Sequence, residues 1–321
     1  MKTQLGTQPI LDRIARSALA RRLVIGILLV ATYAAVLLLD EYFLFPWCPL
    51  WLVFHLVVVI AAALEVCTLF KAAGAPPSTN TVLGGTVAVV LANWVPHIAH
   101  RMLASQVDPT PVFAQLAMSI HALAWPFLAL VGVLMVALLS QSIQFTRPGK
   151  TTITLGATIL AIAYLGCLGT FALQTRWLGG PARGITAAAL LMAAAKGSDI
   201  GAYTLGRLFG RHKLWPRLSP KKTIEGALGG LAAAVAFAFL IAEVSRRITG
   251  IAHQPGAILA FGLLVGAAAQ LGDLVESMLK RDCERKDASD TIPGFGGVLD
   301  VIDSALFASP IAFAFWLLVE M

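Results

Sequence analysis

A polar stripe crosses an apolar segment in the sequence Gly272-Asp-Leu-Val-Glu-Ser-Met-Leu-Lys-Arg281. In a helix, Asp273, Glu276 and Lys280 fall three or four residues apart, so their side chains share one face. An isolated charge at the centre of a bilayer costs about 2.5–3.5 kcal/mol on insertion scales. Carboxylates at this depth therefore require compensating cations, and the stripe predicts a functional site rather than a lipid-facing surface.

A second polar stripe follows a glycine-rich turn in the sequence Pro293-Gly-Phe-Gly-Gly-Val-Leu-Asp-Val-Ile-Asp-Ser304. Asp300, Asp303 and Ser304 again share one helical face. Glycines let the backbone approach phosphate oxygens closely, and carboxylates beside such a turn are typical of Mg²⁺ sites that also bind substrate phosphates. A metal-centred active site is favoured over an ion-conducting path or a structural charge network, because the turn suggests a ligand larger than an ion.

The composition is that of a membrane protein. Hydrophobic residues make up 58% of the 321 residues, charged residues only 13%, and the mean hydropathy is +0.81. These values lie outside the range of soluble globular proteins. The four cysteines form no CxxC pair, which argues against a zinc site and a disulfide framework. The net charge of +7 needs no nucleic acid to explain it, since cytoplasmic loops of membrane proteins are basic.

Apolar stretches long enough to cross a bilayer recur along the whole chain. They predict an all-α polytopic membrane protein with about nine transmembrane helices. The predicted spans are residues 22–43, 50–71, 82–104, 113–140, 153–175, 184–206, 226–246, 256–279 and 298–319. The sixth span contains Lys196 and Asp199, so hydropathy alone describes it poorly.

The distribution of basic residues predicts the orientation. With the N-terminus in the cytoplasm and the C-terminus outside, 18 of the 24 Lys and Arg residues lie in inside segments and five in outside segments. This bias agrees with the positive-inside rule and predicts a multi-pass protein of the inner (cytoplasmic) membrane, with its active site facing the cytoplasm. We interpret the chain as one membrane domain, residues 1–321. Within it, residues 1–150 are supporting helices and residues 151–321 form the catalytic half.

A further polar stripe leads from membrane depth to a basic loop. Its members lie about one helical turn apart and are Lys196, Asp199, Tyr203 and Arg207. The loop that follows carries Arg211, His212, Lys213, Arg217, Lys221 and Lys222. A polyphosphate arriving from the cytoplasm would meet this loop first, although ordinary juxtamembrane charges explain the individual bases equally well. Ser219-Pro220 predicts the start of a helix whose N-terminal amides would face an anion.

These segments resemble the phosphatidate cytidylyltransferase (CDP-diacylglycerol synthase) family, whose signature reads S-x-L-K-R-x4-K-D-x-[GSA]-x2-[LIF]-[PG]-x-H-G-G-x-x-D-R-x-D. The residues that match it in register are Ser277, Leu279, Lys280, Arg281, Lys286, Asp287, Ser289, Ile292, Pro293, Gly296, Gly297, Asp300 and Asp303. The resemblance extends over about residues 190–306 and is specific because the signature is long. Two positions depart from it: Phe295 replaces the usual histidine and Val301 the usual arginine.

The resemblance implies the reaction of CTP with phosphatidate to give CDP-diacylglycerol and pyrophosphate. It implies Mg²⁺ as the cofactor, with a second cation left open, and the expected metal ligands are Asp273, Asp300, Asp303 and Asp199. The expected binding residues for phosphates are Arg207, Ser219, Lys221, Lys222, Lys280, Arg281, Gly296 and Gly297. Asp273, Asp300 and Lys280 are the expected catalytic residues, and phosphatidate or a related lipid phosphate is expected to enter from the bilayer.

Two other functions remain open from the sequence. One is a CTP-dependent enzyme that acts on another lipid, such as a polyprenol or phytol kinase or a CDP-archaeol synthase. The other is an ion-coupled transporter with a buried charge relay, which would bind no nucleotide. The sequence does not determine the oligomeric state, and a homodimer is one of the options.

Overall fold

The computed structural model describes residues 8–45, 47–104, 122–146 and 148–319. The helices in this part of the chain are α1 (Gln8–Leu39), α2 (Pro49–Ala72), α3 (Thr79–Ala92), α4 (Val95–Ala104), α5 (Ala124–Ile143), α6 (Thr151–Ile162), α7 (Leu168–Gln174), α8 (Pro181–Phe209), α9 (Ile224–Thr249), α10 (Pro255–Asp282) and α11 (Val298–Val319). A π-helical turn, Ala163–Cys167, joins α6 to α7, and another, Asp40–Leu44, extends α1.

The prediction of an all-α polytopic membrane protein is confirmed. Within the described residues, eight helical segments are long and apolar enough to cross a membrane. They are Ala20–Leu44, Pro49–Ala72, Thr79–Ala99, Ala124–Ile143, Thr151–Trp177, Ile224–Thr249, Pro255–Asp282 and Val298–Val319. The predicted span 184–206 corresponds to α8, which is not among the eight. Residues 113–121 of the predicted fourth span lie outside the described residues.

A small β-hairpin is the exception to the helical architecture. Strands β1 (Lys213–Trp215) and β2 (Ser219–Thr223) are antiparallel, with Lys213 opposite Thr223 and Trp215 opposite Ser219. The predicted helix start at Ser219-Pro220 is therefore wrong. The helix begins at Ile224 because the Thr223 hydroxyl accepts a hydrogen bond from the Gly226 N–H at 3.1 Å and caps it.

Small residues bring α8 and α9 into close contact. A Cβ on Gly201 of α8 would lie 2.6 Å from the carbonyl oxygen of Gly229 in α9, so only glycine fits there. Alanines such as Ala194 and Ala234 continue this contact into a core shared with α10 and α11. Close approach of small residues is how membrane helices gain packing energy without a hydrophobic driving force. The polar stripes of α8, α10 and α11 are thereby placed side by side.

The N-terminal helices pack against the opposite side of α11. Val66 of α2, Val82 of α3 and Leu165 of the π-helical turn share an apolar core with Leu299 and Leu306 of α11. The first half of the chain therefore fixes the position of α11, including the segment that begins at the glycine turn.

Candidate active site

Three carboxylates from two helices converge at the centre of the site. Asp273 and Glu276 of α10 and Asp303 of α11 each offer an oxygen, and these oxygens lie within 4.8 Å of one another. We call these residues the acidic trio. Glu276 and Asp303 are buried, and Glu276 Oε1 has no hydrogen-bond partner among the described residues. Because like charges repel at this distance, the trio and its orphan oxygen fit a divalent cation with oxygen ligands, such as Mg²⁺.

A basic side chain and a polar network border the trio. Lys222 Nζ lies 2.7 Å from Asp273 Oδ2. Lys196 Nζ donates to Asp199 Oδ2 at 2.8 Å and to Ser304 Oγ at 2.7 Å, and Ser304 Oγ donates to Asp199 Oδ2 at 2.9 Å. Asp199, which the sequence predicts as a metal ligand, thus lies beside the trio but is bound by Lys196 and Ser304 instead of belonging to it.

Asp300 also lies outside the acidic trio. Lys280 is buried between Glu276 and Asp300 and forms ion pairs with both. The second oxygen of Asp300 accepts hydrogen bonds from the backbone N–H groups of Ala288 at 2.9 Å and Gly297 at 2.7 Å. In this arrangement Asp300 connects Lys280 to the glycine turn, and its role as a metal ligand stays a prediction.

The glycine turn, residues 289–297, is held by a carboxylate from the N-terminal half. Glu65 Oε1 of α2 accepts hydrogen bonds from Ser289 Oγ at 2.6 Å and from Val298 N–H at 3.0 Å, and Oε2 accepts from Leu299 N–H at 2.8 Å. A negative charge at this place is stabilised by the free amides and the dipole at the start of α11. A Cβ on Gly297 would overlap the Glu65 carboxylate, so the close approach requires glycine.

The N–H groups of Gly296 and Gly297 in the glycine turn form hydrogen bonds within the protein. Gly297 N–H donates to Asp300, as above, and Gly296 N–H donates to the Ile292 carbonyl at 3.1 Å. Gly296 has a φ of +99°, which favours glycine. The sequence predicts that Gly296 and Gly297 cradle a substrate phosphate. In the structure, the Gly297 N–H binds the Asp300 carboxylate and the Gly296 N–H binds a backbone carbonyl, so phosphate binding by these two glycines stays a prediction.

A cavity of about 420 Å³ adjoins Asp273. Three predicted phosphate-binding residues line it: Arg207, Lys221 and Lys222. Asp199 and Asp273 also face it, while Ala202, Leu214 and Ala227 supply apolar wall. The described residues that line the cavity do not include the other predicted phosphate-binding residues. These are Ser219, Lys280, Arg281, Gly296 and Gly297.

Several site residues were not assigned from the sequence. Glu276 lies on the predicted polar face of α10, and that spacing is a signal that could have identified it as a metal ligand. Glu65 is an acid within a membrane span, a feature that marks functional residues by default. Gln270 and Thr223 line the cavity but carry no sequence signal that separates them from ordinary polar residues.

Glu65→Gln should lower the free energy of unfolding by about 1.5–3 kcal/mol, the range for hydrogen bonds to charged groups. The amide keeps the size of the side chain but turns an NH₂ group toward backbone N–H donors. Chemical unfolding in mixed micelles measures the effect. The matched control is Glu243→Gln, since Glu243 is partly exposed in α9 and pairs with the surface residues Arg246 and Arg247. An unfolding free energy of Glu65→Gln equal to that of the wild type would contradict the capping role.

Comparison with known proteins finds relatives over most of the chain. The sequence pattern of the Cytidylyltransferase family matches residues 20–319. The chain is similar to the phosphatidate cytidylyltransferase of Bacillus subtilis (strain 168), with 34% identity over 171 residues, covering 52% of this chain and 61% of the relative. It is similar to the enzymes of that name from Chlamydia pneumoniae, at 36% identity over 141 residues (44% of this chain and 46% of the relative), and Haemophilus influenzae, at 46% over 114 residues (35% and 39%). The matched regions thus span between 39% and 61% of these relatives' lengths.

Proposed function

Because this chain belongs to the Cytidylyltransferase family, we propose that it transfers the cytidylyl group of CTP to phosphatidate, forming CDP-diacylglycerol and pyrophosphate. The observation that carries the proposal is that cationic side chains and the acidic trio lie at the same cavity. Cationic side chains line a cavity that Asp273 also lines, and Asp273 belongs to the acidic trio. Such a cavity suits a triphosphate and the phosphate of a lipid.

The proposed chemistry needs positioning and charge neutralisation more than proton transfer. An oxygen of the phosphatidate monoester attacks the α-phosphorus of CTP, the bond to the bridging oxygen of the β-phosphate breaks, and pyrophosphate leaves with that electron pair. The monoester is already an anion near neutral pH, so no strong general base is required. Arg207, Lys221 and Lys222 line the cavity and would bind the phosphates of the two substrates.

The acidic trio would hold the Mg²⁺, which when bound supplies neutralisation of negative charge on phosphate oxygens. Asp199 would be available to a second cation, because Lys196 and Ser304 both bind its Oδ2 and leave Oδ1. Both oxygens of Asp300 are bound within the protein, by Lys280 and by the N–H groups of Ala288 and Gly297. Lys280 and Asp300 would act by holding Glu276 and the glycine turn in place.

The test is product formation by the purified protein. Incubation with CTP, Mg²⁺ and phosphatidate should yield CDP-diacylglycerol and pyrophosphate in equal amounts, detected by mass spectrometry and a pyrophosphate assay. A lipid that gains one phosphate with release of CDP would show a kinase instead. Turnover of another lipid phosphate but not phosphatidate would show that the lipid acceptor is a different one. Ion-gradient coupling without nucleotide binding would indicate a transporter.

We further propose nine spans, with α8 as the ninth. Its 29 residues extend about 44 Å, which is long enough to cross a bilayer. Lys196 and Asp199 form an ion pair within it, so the helix carries fewer unpaired charges than its composition suggests. With nine spans and a cytoplasmic N-terminus, the hairpin and the glycine turn both face the cytoplasm. The protein would then lie in the inner (cytoplasmic) membrane.

Cysteine labelling in intact cells and inverted vesicles should place the hairpin and the glycine turn on the same side. In a cysteine-free background, Arg211→Cys and Asp290→Cys should react from the cytoplasmic side only, because both positions are exposed and lie in segments that the proposed topology puts in the cytoplasm. Ile251→Cys, just beyond the far end of α9, should react from the opposite side. Labelling of positions 211 and 290 from opposite sides would contradict a shared site.

A further inference from the structure

Tyr164 has a buried hydroxyl that the proposed mechanism does not use. It lies in the π-helical turn Ala163–Cys167, within the membrane span Thr151–Trp177. The residue is only 8% exposed, and its hydroxyl has no hydrogen-bond partner among the described residues. A buried donor without a partner is costly, and π-helical turns in α-helices are frequent at functional sites.

Packing places Tyr164 beside the acidic trio. Tyr164 shares an apolar core with Leu306, which lies one helical turn beyond Asp303 on the same side of α11, and Ser309 Oγ donates to the Leu168 carbonyl at 2.7 Å just after the π-helical turn. The charges of the three trio carboxylates act on its hydroxyl. Two buried polar atoms without partners, the Tyr164 hydroxyl and Glu276 Oε1, therefore belong to one site.

We infer that Tyr164 is a positioning residue of the cation site at the acidic trio, and that its hydroxyl donates a hydrogen bond to a water or phosphate oxygen bound there. The inference rests on the cation site proposed above. Mg²⁺ in proteins keeps waters and substrate phosphate oxygens as ligands, and both kinds of oxygen accept hydrogen bonds. Groups that hold such ligands commonly change metal affinity by about 10- to 100-fold when they are removed.

Tyr164→Phe removes the hydroxyl without changing the shape of the ring. The expected result is a Mg²⁺ affinity about tenfold weaker by isothermal titration calorimetry. The metal-free variant should unfold at the same temperature as the wild type or at a higher one, because the substitution removes an unpartnered buried hydroxyl. A residue that only supports the fold would give the opposite pair of results.

Tyr33→Phe is the matched control. The Tyr33 hydroxyl donates to the Ala188 carbonyl at 3.0 Å, so its removal should lower the unfolding temperature and leave the Mg²⁺ affinity unchanged. Titrations with and without CTP distinguish the two kinds of oxygen. For Tyr164→Phe, weaker binding of Mg²⁺ alone identifies a metal-bound water, and weaker binding only with CTP identifies a phosphate oxygen. Unchanged affinity under both conditions overturns the inference, whereas a wild type that binds no Mg²⁺ overturns the cation site itself.

Discussion

Asp273→Asn is expected to reduce cytidylyl transfer by more than about 100-fold, since a direct ligand should matter at least as much as the groups that orient it. The neutral amide is a poor Mg²⁺ ligand, and it also ends the ion pair with Lys222, whose Nζ lies 2.7 Å from the Asp273 carboxylate. The fold should survive, because Asp273 is partly exposed and such pairs contribute about 0–1 kcal/mol to stability. Product formation at saturating Mg²⁺ and the unfolding temperature measure the two effects.

Asp282→Asn is the control for this variant. Asp282 ends the same helix, is exposed and lies outside the acidic trio, so its activity should equal that of the wild type. Turnover by Asp273→Asn within a few fold of the wild type at saturating Mg²⁺ would remove Asp273 from the cation site.

Helical spacing was sufficient to predict the polar faces of the site. Asp273, Glu276 and Lys280 do share one face of α10, as their separation by three and four residues requires. The stripe from Lys196 to Arg207 likewise reaches the cavity through Asp199 and Tyr203. Periodicity within one helix depends only on local geometry, and the membrane leaves few alternatives to a helix for such segments.

Contacts between helices could not be predicted in this way. The spacing of acids along a sequence does not say which cation each will meet, and it gave no sign that Asp300 pairs with Lys280. The glycine turn shows the same limit. Glycines indicate that an anion can approach the backbone, but they do not indicate which anion. A substrate phosphate and an internal carboxylate such as Glu65 are both compatible with the pattern.

Lys280→Met is expected to lower the free energy of unfolding by about 3–5 kcal/mol, the usual cost of removing one partner from a buried ion pair. Lys280 is the cation between Glu276 and Asp300. The exposed fraction of the side chain is 11% for Lys280, 1% for Glu276 and 8% for Asp300. Methionine fills most of the space but leaves two carboxylates without their counter-charge. Activity should fall as well, because Glu276 belongs to the acidic trio and Asp300 holds the glycine turn.

A double variant separates the effect on stability from the effect on activity. Adding Glu276→Gln to Lys280→Met removes one of the two carboxylates that lack a counter-charge. Because neighbouring buried groups are coupled, the free energy of unfolding should rise again by about 0.5–3 kcal/mol. Activity should not return, since the trio then lacks a ligand. Lys71→Met, at an exposed position near the end of α2, is the control for loss of a lysine and should leave the unfolding free energy unchanged. If Lys280→Met unfolds like this control in mixed micelles, Lys280 does not hold the two carboxylates together, and its position in the sequence signature must reflect direct contact with substrate instead.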